Sequence, residues 1–288
     1  MDELAKCYAI ASRIKYDVPD RPGKPEILFQ PYGVAAVVGL LALPGTSQNI
    51  YPMRKIVEVA VDEAKRYYAA GIRNILIQNV NDVPMKCNVG YETVASITAA
   101  AYAVREALPD DCVMGVSVLR DNGKALVATA NAVEADYIRP KCYVGTVVGM
   151  SGLHDGIMDD VLEMRYMLRC NTAISADIHD RSTSPIGGVT LVDAVMQAIS
   201  GGLADAVNIA GKSFDDSMRL IDDVKKAAPS VYVNLGGGAN AKNLDTVYKH
   251  ADGIFVASCL KDTGNMTGKV DDEKVRAFMQ AHSAVCKG

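Results

Sequence analysis

Two turns of small residues near the end of the chain carry the strongest chemical signal in the sequence. Each turn follows a β-branched run, and the first turn precedes a helical pattern. Backbone N–H groups in such turns can approach an anion closely, and the start of a helix adds partial positive charge. The pattern predicts the phosphate site of a (β/α)₈ barrel, with a tight ligand-free turn as the alternative. The predicted phosphate-binding residues are Gly236, Gly237, Gly238, Ala257 and Ser258.

Charged side chains are predicted at the same end of the barrel, because side chains alternate along two earlier runs. Asp177 and His179 lie opposite the apolar face of one run, and Arg139 and Lys141 share the inward face of the other. We predict Asp177 and His179 as general acid and base, since an imidazole titrates near neutral pH. We predict that Arg139 and Lys141 stabilise negative charge that develops on the substrate. The alternatives are that Asp177 only forms an ion bridge with Arg139 and that His179 lies in the following loop.

Amides and one further lysine complete the predicted site. Asn79 is placed at the mouth of the barrel as a catalytic residue, and Asn208 and Asn234 are predicted to bind substrate from the barrel interior. Lys212 shares the face of Asn208 and is also predicted to bind substrate. A desolvated lysine at a strand end can instead form a Schiff base, whereas a solvated loop lysine only adds positive charge.

Apolar runs and amphipathic stretches alternate eight times along the chain, and eight parallel strands close a barrel. An open doubly wound sheet is the alternative, but its glycine-rich turn normally follows the first strand, whereas here that turn follows the seventh. We therefore predict an α/β fold: a single (β/α)₈ TIM barrel over residues 34–288, with an N-terminal helical and extended extension over residues 1–33. The predicted strands lie at 34–43, 72–79, 113–120, 135–141, 172–178, 205–210, 231–236 and 253–259, and the predicted helices at 54–70, 93–108, 122–134, 158–169, 190–200, 215–227, 241–249 and 272–285.

Composition argues against several classes of protein. The net charge of −4, the lack of tryptophan and the lack of a basic run among aromatic residues argue against a nucleic-acid-binding surface. Seven scattered cysteines and four histidines show no metal-binding or disulfide spacing, so we predict no metal, no cofactor and a reducing compartment. No apolar run is long enough to span a bilayer and the first residues do not resemble a signal peptide, so a cytoplasmic protein is predicted.

Two long loops follow predicted strands and therefore lie above the mouth of the barrel. Residues 142–157 are rich in glycine and apolar side chains, and residues 180–189 are polar and contain two glycines. Loops in this position can close over a ligand. The apolar character of the first loop also fits a contact between subunits, and we expect a homo-oligomer.

Short motifs recur in order over nearly the whole predicted barrel, from about Val34 to Met279. They are Leu40–Gly45, Asn79 with Asp82–Pro84, Val118–Asn122, Tyr137–Arg139 with Gly145, Ser175–Asp177, Gly202–Ala206, Gly236–Asn240 and Val256–Lys261. This set resembles the BtpA/SgcQ family, which is named for a photosystem I biogenesis factor and a sugar-operon protein. The resemblance implies a phosphate-binding TIM barrel, in agreement with the strand pattern.

The chain differs from the family pattern at four places. The family usually has a histidine at the position of Gly39 and a glutamate at the position of Gln78. This chain also departs from the common form of the family at Pro140–Lys141 and at His179–Arg181. The loss of an acid and an imidazole implies either an altered reaction or a non-catalytic paralogue.

The residues together predict an enzyme that acts on a small phosphorylated metabolite, either a sugar phosphate or a nucleotide-derived phosphate. Proton transfer or carbon–carbon bond chemistry is expected, which corresponds to an isomerase, an epimerase or a lyase. The alternative is a non-catalytic assembly, biogenesis or regulatory factor built on the same barrel.

Overall fold

The computed structural model describes residues 29–287, except for the side chain of His179. Eight parallel strands form a closed barrel in the order β1-β11-β10-β9-β7-β4-β3-β2. The barrel strands are β1 (Gly33–Gly39), β2 (Asn74–Gln78), β3 (Val113–Ser117), β4 (Tyr137–Ile138), β7 (Ala173–His179), β9 (Ala206–Ile209), β10 (Tyr232–Leu235) and β11 (Gly253–Val256). The predicted TIM barrel is confirmed, whereas the predicted helix of the N-terminal extension lies outside the described residues.

A helix follows each barrel strand before the next barrel strand begins. The helices are α1 (Met53–Ala69), α2 (Tyr91–Ala107), α3 (Gly123–Ala132), α4 (Met158–Leu168), α5 (Leu191–Ser200), α6 (Phe214–Ala227), α7 (Leu244–Val247) and α8 (Asp272–Val285). A 3₁₀ turn, Ser258–Leu260, lies between β11 and α8. The alternation of strands and helices agrees with the hydrophobic pattern of the sequence.

Side-chain caps start four of the helices directly after the loops at the mouth of the barrel. The Asn122 side chain accepts from the N–H of Ala125 at 2.8 Å at the start of α3, and the Thr190 hydroxyl accepts from the N–H of Asp193 at 3.1 Å at the start of α5. Ser213 and Asp271 cap α6 and α8 in the same way. Each such cap contributes about 1 kcal/mol, and it also sets where the preceding loop ends.

Apolar side chains fill two layers, one between the barrel and the helices and one inside the barrel. The inner layer is built from Ala35, Val37, Leu76, Val113, Tyr137 and Phe255. The Tyr137 ring occupies the space beside Gly115, where an added Cβ would lie 2.2 Å from the ring. The interior is therefore packed at its lower end, and only its upper end can admit a ligand.

The two long loops after β4 and β7 are joined in a second sheet, which we call the accessory sheet. It consists of β5 (Thr146–Gly149), β6 (Gly152–Asp155) and β8 (Ser184–Pro185), with β5 antiparallel to both neighbours. The buried His154 attaches this sheet to the barrel, since its Nδ1 lies 3.0 Å from Cys87 Sγ and 3.7 Å from Asp121 Oδ2. The loops that sequence predicts as separate segments are thus paired with each other.

A buried ion pair joins helix α1 to the segment after β11. The Lys261 ammonium donates to the Glu63 carboxylate, which also accepts from the Tyr67 hydroxyl at 3.2 Å. Burial raises the pKa of Glu63, and the nearby Lys261 ammonium only partly offsets this effect. The pair fixes the position of the Ser258–Leu260 turn against the outer helices.

Among residues 29–287, no helix is both long and apolar enough to cross a membrane.

Candidate functional site

A cavity of about 210 Å³ lies at the carboxyl ends of β4, β10 and β11. The two turns of small residues after β10 and β11 line this cavity, together with charged residues that follow β4 and β7. The lining residues that the site argument uses are Arg139, Lys141, Asp180, Arg181, Gly236, Gly237, Gly238, Ala257 and Ser258. The structure therefore brings together the predicted phosphate-binding turns and the two predicted cations.

The turn after β10 has a backbone that favours glycine. Gly238 has φ +101°, a conformation that strains any residue with a Cβ. The N–H of Gly236 still donates to Ile209 in the sheet at 2.8 Å. Within the described part of the chain, the N–H groups of Gly237, Gly238 and Ser258 have no acceptor. Backbone donors without an acceptor at the rim of a cavity are suited to an anion.

Arg139 is buried beneath this turn and held on three sides. Its guanidinium binds Asp177 through Nε at 2.8 Å and Nη2 at 3.1 Å, and it lies 4.1 Å above the centre of the Phe255 ring. Nη2 also donates to the carbonyl of Gly236 at 3.3 Å. Burial alone would lower the pKa of Arg139, but the Asp177 carboxylate outweighs it and the pKa is raised. A permanent positive charge therefore lies next to the glycine turn.

Asp177 accepts four hydrogen bonds and is only 3% exposed. Two come from Arg139, one from the Lys141 ammonium and one from Asn208 Nδ2 at 2.8 Å. An ionised carboxylate has about four acceptor positions, so donors from the protein occupy all of those on Asp177. The ion bridge that sequence leaves as an alternative is present, and it holds both cations in place.

Asn208 and Asn234 lie below the cavity rather than on its wall. Asn208 donates to Asp177, and its side-chain oxygen accepts from Ser175 Oγ at 2.8 Å and from Asn234 Nδ2 at 2.9 Å. All three partners are buried. These amides therefore orient Asp177, while their predicted contact with substrate stays a prediction.

Lys141 bridges the Asp177 carboxylate and a second carboxylate, Asp180, at the wall of the cavity. Asp180 also accepts from the backbone N–H of Ser182 at 2.8 Å. Burial acts to raise the pKa of Asp180, but Lys141 and Ser182 overcome this effect and hold the pKa below its usual range. Asp180 is therefore ionised and paired.

Sequence reasoning missed Asp180 and Arg181 as individual site residues. Arg181 is exposed and donates to the carbonyl of Gly237 at 2.9 Å, so it lies over the glycine turn. The available signal was the polar loop at 180–189, which sequence predicts above the mouth without assigning roles to its side chains. Strand alternation says nothing about a loop, and so these residues could not be oriented.

Two further predicted site residues, Asn79 and Lys212, are not among the described residues that line the cavity. The fully buried Asn79 accepts from the N–H of Leu119 at 2.7 Å and donates to Asp82 at 2.9 Å, so it ties together the loops after β2 and β3. Lys212 is exposed, and its backbone N–H binds Asp216. His179 is the last residue of β7, and its side chain is outside the described part.

Gly39 and Gln78 are two positions where the resemblance implies a departure from the family pattern, and both have defined surroundings. A Cβ at Gly39 would lie 2.9 Å from Val80 Cγ1 and 3.6 Å from Met266 Cε, so a histidine there would require Val80 to move. Gln78 donates to Ser117 Oγ at 3.2 Å, and Ser117 in turn donates to the carbonyl of Arg139 at 2.8 Å. Gln78 therefore supports the backbone of Arg139.

The charged side chains around the cavity are mostly cations. Among the described side chains of residues 29–287, which leave out that of His179, no three His, Cys, Asp or Glu are grouped so that they could hold a metal. The charged side chains that line the cavity are Arg139, Lys141, Arg181 and Asp180. Asp177 binds Arg139 and Lys141 from below, so three cations and two carboxylates leave one net positive charge beside the open N–H groups.

The same barrel occurs in solved structures. Phosphoribosyl anthranilate isomerase from Thermus thermophilus superposes with a TM-score of 0.52 at 14% sequence identity, covering 88% of this chain and 99% of that one. Structural similarity at such a low sequence identity supports the barrel fold and nothing more specific.

Sequence relatives cover most of the chain. The chain is 30% identical to the photosystem I biogenesis protein BtpA of Synechocystis over 86% of its own length and 87% of that protein. It is also 30% identical to an uncharacterized protein of Thermococcus kodakarensis, over 88% of this chain and 95% of that protein. The model of the BtpA family matches residues 31–284. The family predicted from the motifs is confirmed: the chain belongs to the BtpA family.

Proposed function

We propose that this protein is an enzyme that binds a small phosphorylated metabolite at the mouth of the barrel and acts on it as an isomerase, an epimerase or a lyase. The phosphate lies against the N–H groups of Gly237, Gly238 and Ser258. The rest of the ligand points toward Lys141. The observation that carries the proposal is that both turns, with open N–H groups, line one cavity with three cations.

The size and the charge of the cavity support this class of ligand. A volume of about 210 Å³ corresponds to roughly seven water molecules at 30 Å³ each. Backbone donors bind a phosphate without needing a change in protonation, and Arg181 adds a cation that can fold over it. A small ligand with one phosphate fits these features better than a nucleotide of several rings.

Proton transfer in this cavity falls to the groups that line it. Lys141 and Asp180 face the cavity, whereas Asp177 is occupied by four donors. In the proposal, Lys141 stabilises an oxyanion or supplies a proton, Asp180 accepts a proton, and Arg139 contributes positive charge from below. The predicted role of His179 as an acid or base is kept as part of the proposal.

Inorganic phosphate provides a direct test of the anion site. A ligand at 100 times its Kd stabilises the native state by about 2.7 kcal/mol, so phosphate should raise the midpoint of thermal unfolding. Gly238→Ala should remove that protection, because the added Cβ requires the turn to change its φ of +101°.

Gly71→Ala is the matched control, since Gly71 has φ +98° and connects α1 to β2 at the opposite end of the barrel. Both variants should lose about 1 kcal/mol of stability from backbone strain. The phosphate site is refuted if phosphate protects neither the wild type nor the Gly71→Ala variant.

The accessory sheet favours a second candidate function, assembly into a complex. Exposed apolar side chains are concentrated on this sheet and next to it, at Val148, Met150, Leu153, Ile186 and Val189. Met150 is 96% exposed and Leu153 67% exposed. Such a patch is typical of a contact with another protein, and the simplest partner is a second copy of this chain in a homo-oligomer.

The charge variant Met150→Lys/Leu153→Lys tests this candidate. If the patch joins subunits, sedimentation equilibrium should give an oligomer for the wild type and a smaller species for the variant. A wild type that sediments as a monomer at all concentrations would exclude self-assembly.

A further inference from the structure

The ammonium of Lys141 lies between two carboxylates that differ in how firmly they are held. Asp177 belongs to a barrel strand and has three further hydrogen bonds, two to Arg139 and one to Asn208. Asp180 belongs to the loop after β7. Among the described residues, Ser182 also donates to its carboxylate and Thr183 donates to its carbonyl. Asp177 is therefore held by barrel residues other than Lys141, whereas the other described donors to the Asp180 carboxylate come from its own loop.

Asp180 also occupies the position that a ligand would need. Asp180 lines the same cavity as the turns after β10 and β11, and its carboxylate lies on the Lys141 side of that cavity. The other two cations have different partners, since Arg139 binds Asp177 and Arg181 binds the carbonyl of Gly237. A ligand whose phosphate lies at the glycine turns would therefore meet a carboxylate-binding group, Lys141, that already holds a carboxylate.

We propose that the ligand carries a carboxylate in addition to its phosphate, and that this carboxylate replaces Asp180 on Lys141. The inference rests on the proposed phosphate site and narrows the ligand to a small phosphorylated carboxylic acid. The exchange keeps one carboxylate on each side of the ammonium, so the ion pairing of Lys141 is preserved. It requires only that the turn at 180–183 moves.

The exchange connects ligand binding to the accessory sheet. The turn that contains Asp180 leads directly into β8, whose residues pair with β5 of that sheet. When Asp180 leaves Lys141, its Oδ2 loses the ammonium while Ser182 still holds Oδ1, so Oδ2 can accept a proton at the rim of the cavity. In this way the general base of the proposed reaction becomes available only after a ligand with the matching carboxylate has bound.

Two three-carbon probes separate the two parts of the inference. 3-Phosphoglycerate and glycerol 3-phosphate both carry a phosphate, and they differ in that one ends in a carboxylate and the other in an alcohol. Calorimetry on the wild-type protein should show that 3-phosphoglycerate binds at least ten times more tightly. Inorganic phosphate alone should bind more weakly than either probe.

Variants test whether the preference for 3-phosphoglycerate arises from the exchange of carboxylates on Lys141. Lys141→Met should remove the preference for 3-phosphoglycerate. Asp180→Asn should raise the ratio of the two affinities several-fold, because the competing carboxylate is gone. We compare the ratio of the two affinities and not each affinity alone, because the loss of one negative charge strengthens the binding of any phosphate. Lys226→Met, which changes an exposed lysine in the last turn of α6 and outside the cavity, should leave the ratio unchanged.

The outcomes distinguish the inference from the proposed function on which it rests. Equal affinity of the wild type for the two probes, together with phosphate binding, would overturn the carboxylate subsite and leave the phosphate site intact. An unchanged or lower ratio in Asp180→Asn would overturn the exchange even if Lys141→Met failed to fold. Binding of none of the three probes would refute the phosphate site itself.

Discussion

Two buried ion pairs of this protein have similar chemistry and different surroundings. Arg139 and Asp177 form a bidentate pair beneath an open cavity, and Asn208 and Lys141 occupy the remaining carboxylate positions. Glu63 and Lys261 form a pair between helix α1 and the segment after β11, and both side chains are buried.

The difference indicates what each pair contributes. Taking charges out of water is costly, and a pair recovers that cost only with good geometry and further hydrogen bonds. The Arg139–Asp177 pair has both features, and it places positive charge beside the glycine turn. The raised pKa of Glu63 shows that burial outweighs the attraction to Lys261. We infer that the first pair serves the site, whereas the second connects two parts of the scaffold.

The largest effect is expected from Asp177→Ala. The substitution leaves Arg139 buried without its bidentate partner and releases Lys141, so the free energy of unfolding should fall by about 3–5 kcal/mol. Urea unfolding measures the change. Asp245→Ala, which removes an exposed pair with Lys249 one helical turn away, should cost less than about 0.5 kcal/mol. Similar losses for the two variants would contradict the distinction between buried and exposed pairs.

A smaller effect is expected when the scaffold pair is replaced as a unit. The double variant Glu63→Gln/Lys261→Met removes both charges and keeps an acceptor for the buried Tyr67 hydroxyl, so its stability should lie within about 1 kcal/mol of wild type or exceed it. Protection by phosphate should persist, because neither side chain lines the cavity. A loss of several kcal/mol would show that the pair stabilises the fold after all.

The same double variant has a defined dependence on pH. Because the folded state raises the pKa of Glu63, its contribution to stability is fully present below the ordinary value of 4.5 and is lost as the pH rises through the raised pKa. The stability of the wild type relative to the double variant should therefore decline as the pH rises above about 4.5. An increase over that range would mean that the pKa of Glu63 is lowered instead.

The smallest effect on stability is expected from Arg181→Ala. Arg181 is exposed, so the free energy of unfolding should change by less than about 0.5 kcal/mol. Phosphate affinity should fall several-fold, since the guanidinium lies over the glycine turn. Arg219→Ala, on the exposed face of α6, serves as the matched control and should leave phosphate affinity unchanged.

The alternation of polar and apolar side chains predicted the inward face of a strand only where one face of that strand was polar. Along β7 the polar Ser175 and Asp177 alternate with the apolar Ile174 and Ala176, and the inward face was predicted correctly. Along β2 the residues Ile75, Leu76 and Ile77 are all apolar, because a barrel strand is buried on both sides. Strict alternation puts Asn79 on the same face as Ile75 and Ile77, which the structure packs toward the helices, whereas Leu76 packs into the barrel.

Strand ends were less predictable than strand positions. The predicted run at 135–141 is reduced to β4, Tyr137–Ile138, although the N–H of Arg139 still donates to Val116 at 2.9 Å. Pro140 then cannot donate to the sheet, and the chain leaves the ladder. The predicted helix at 241–249 is similarly reduced to the four residues Leu244–Val247.

The order of apolar and amphipathic segments by itself determined the eight-stranded barrel, because each segment must bury one face and parallel strands need helical connections. It also determined that the glycine turns and the Arg139–Lys141 cations lie at one end, since all parallel strands end on the same side. Only the tertiary structure decided which groups touch. Lys261 meets Glu63 across 198 positions of sequence, and Asp180 folds back onto Lys141. Such contacts depend on how separate segments pack in three dimensions, and no local periodicity encodes that packing.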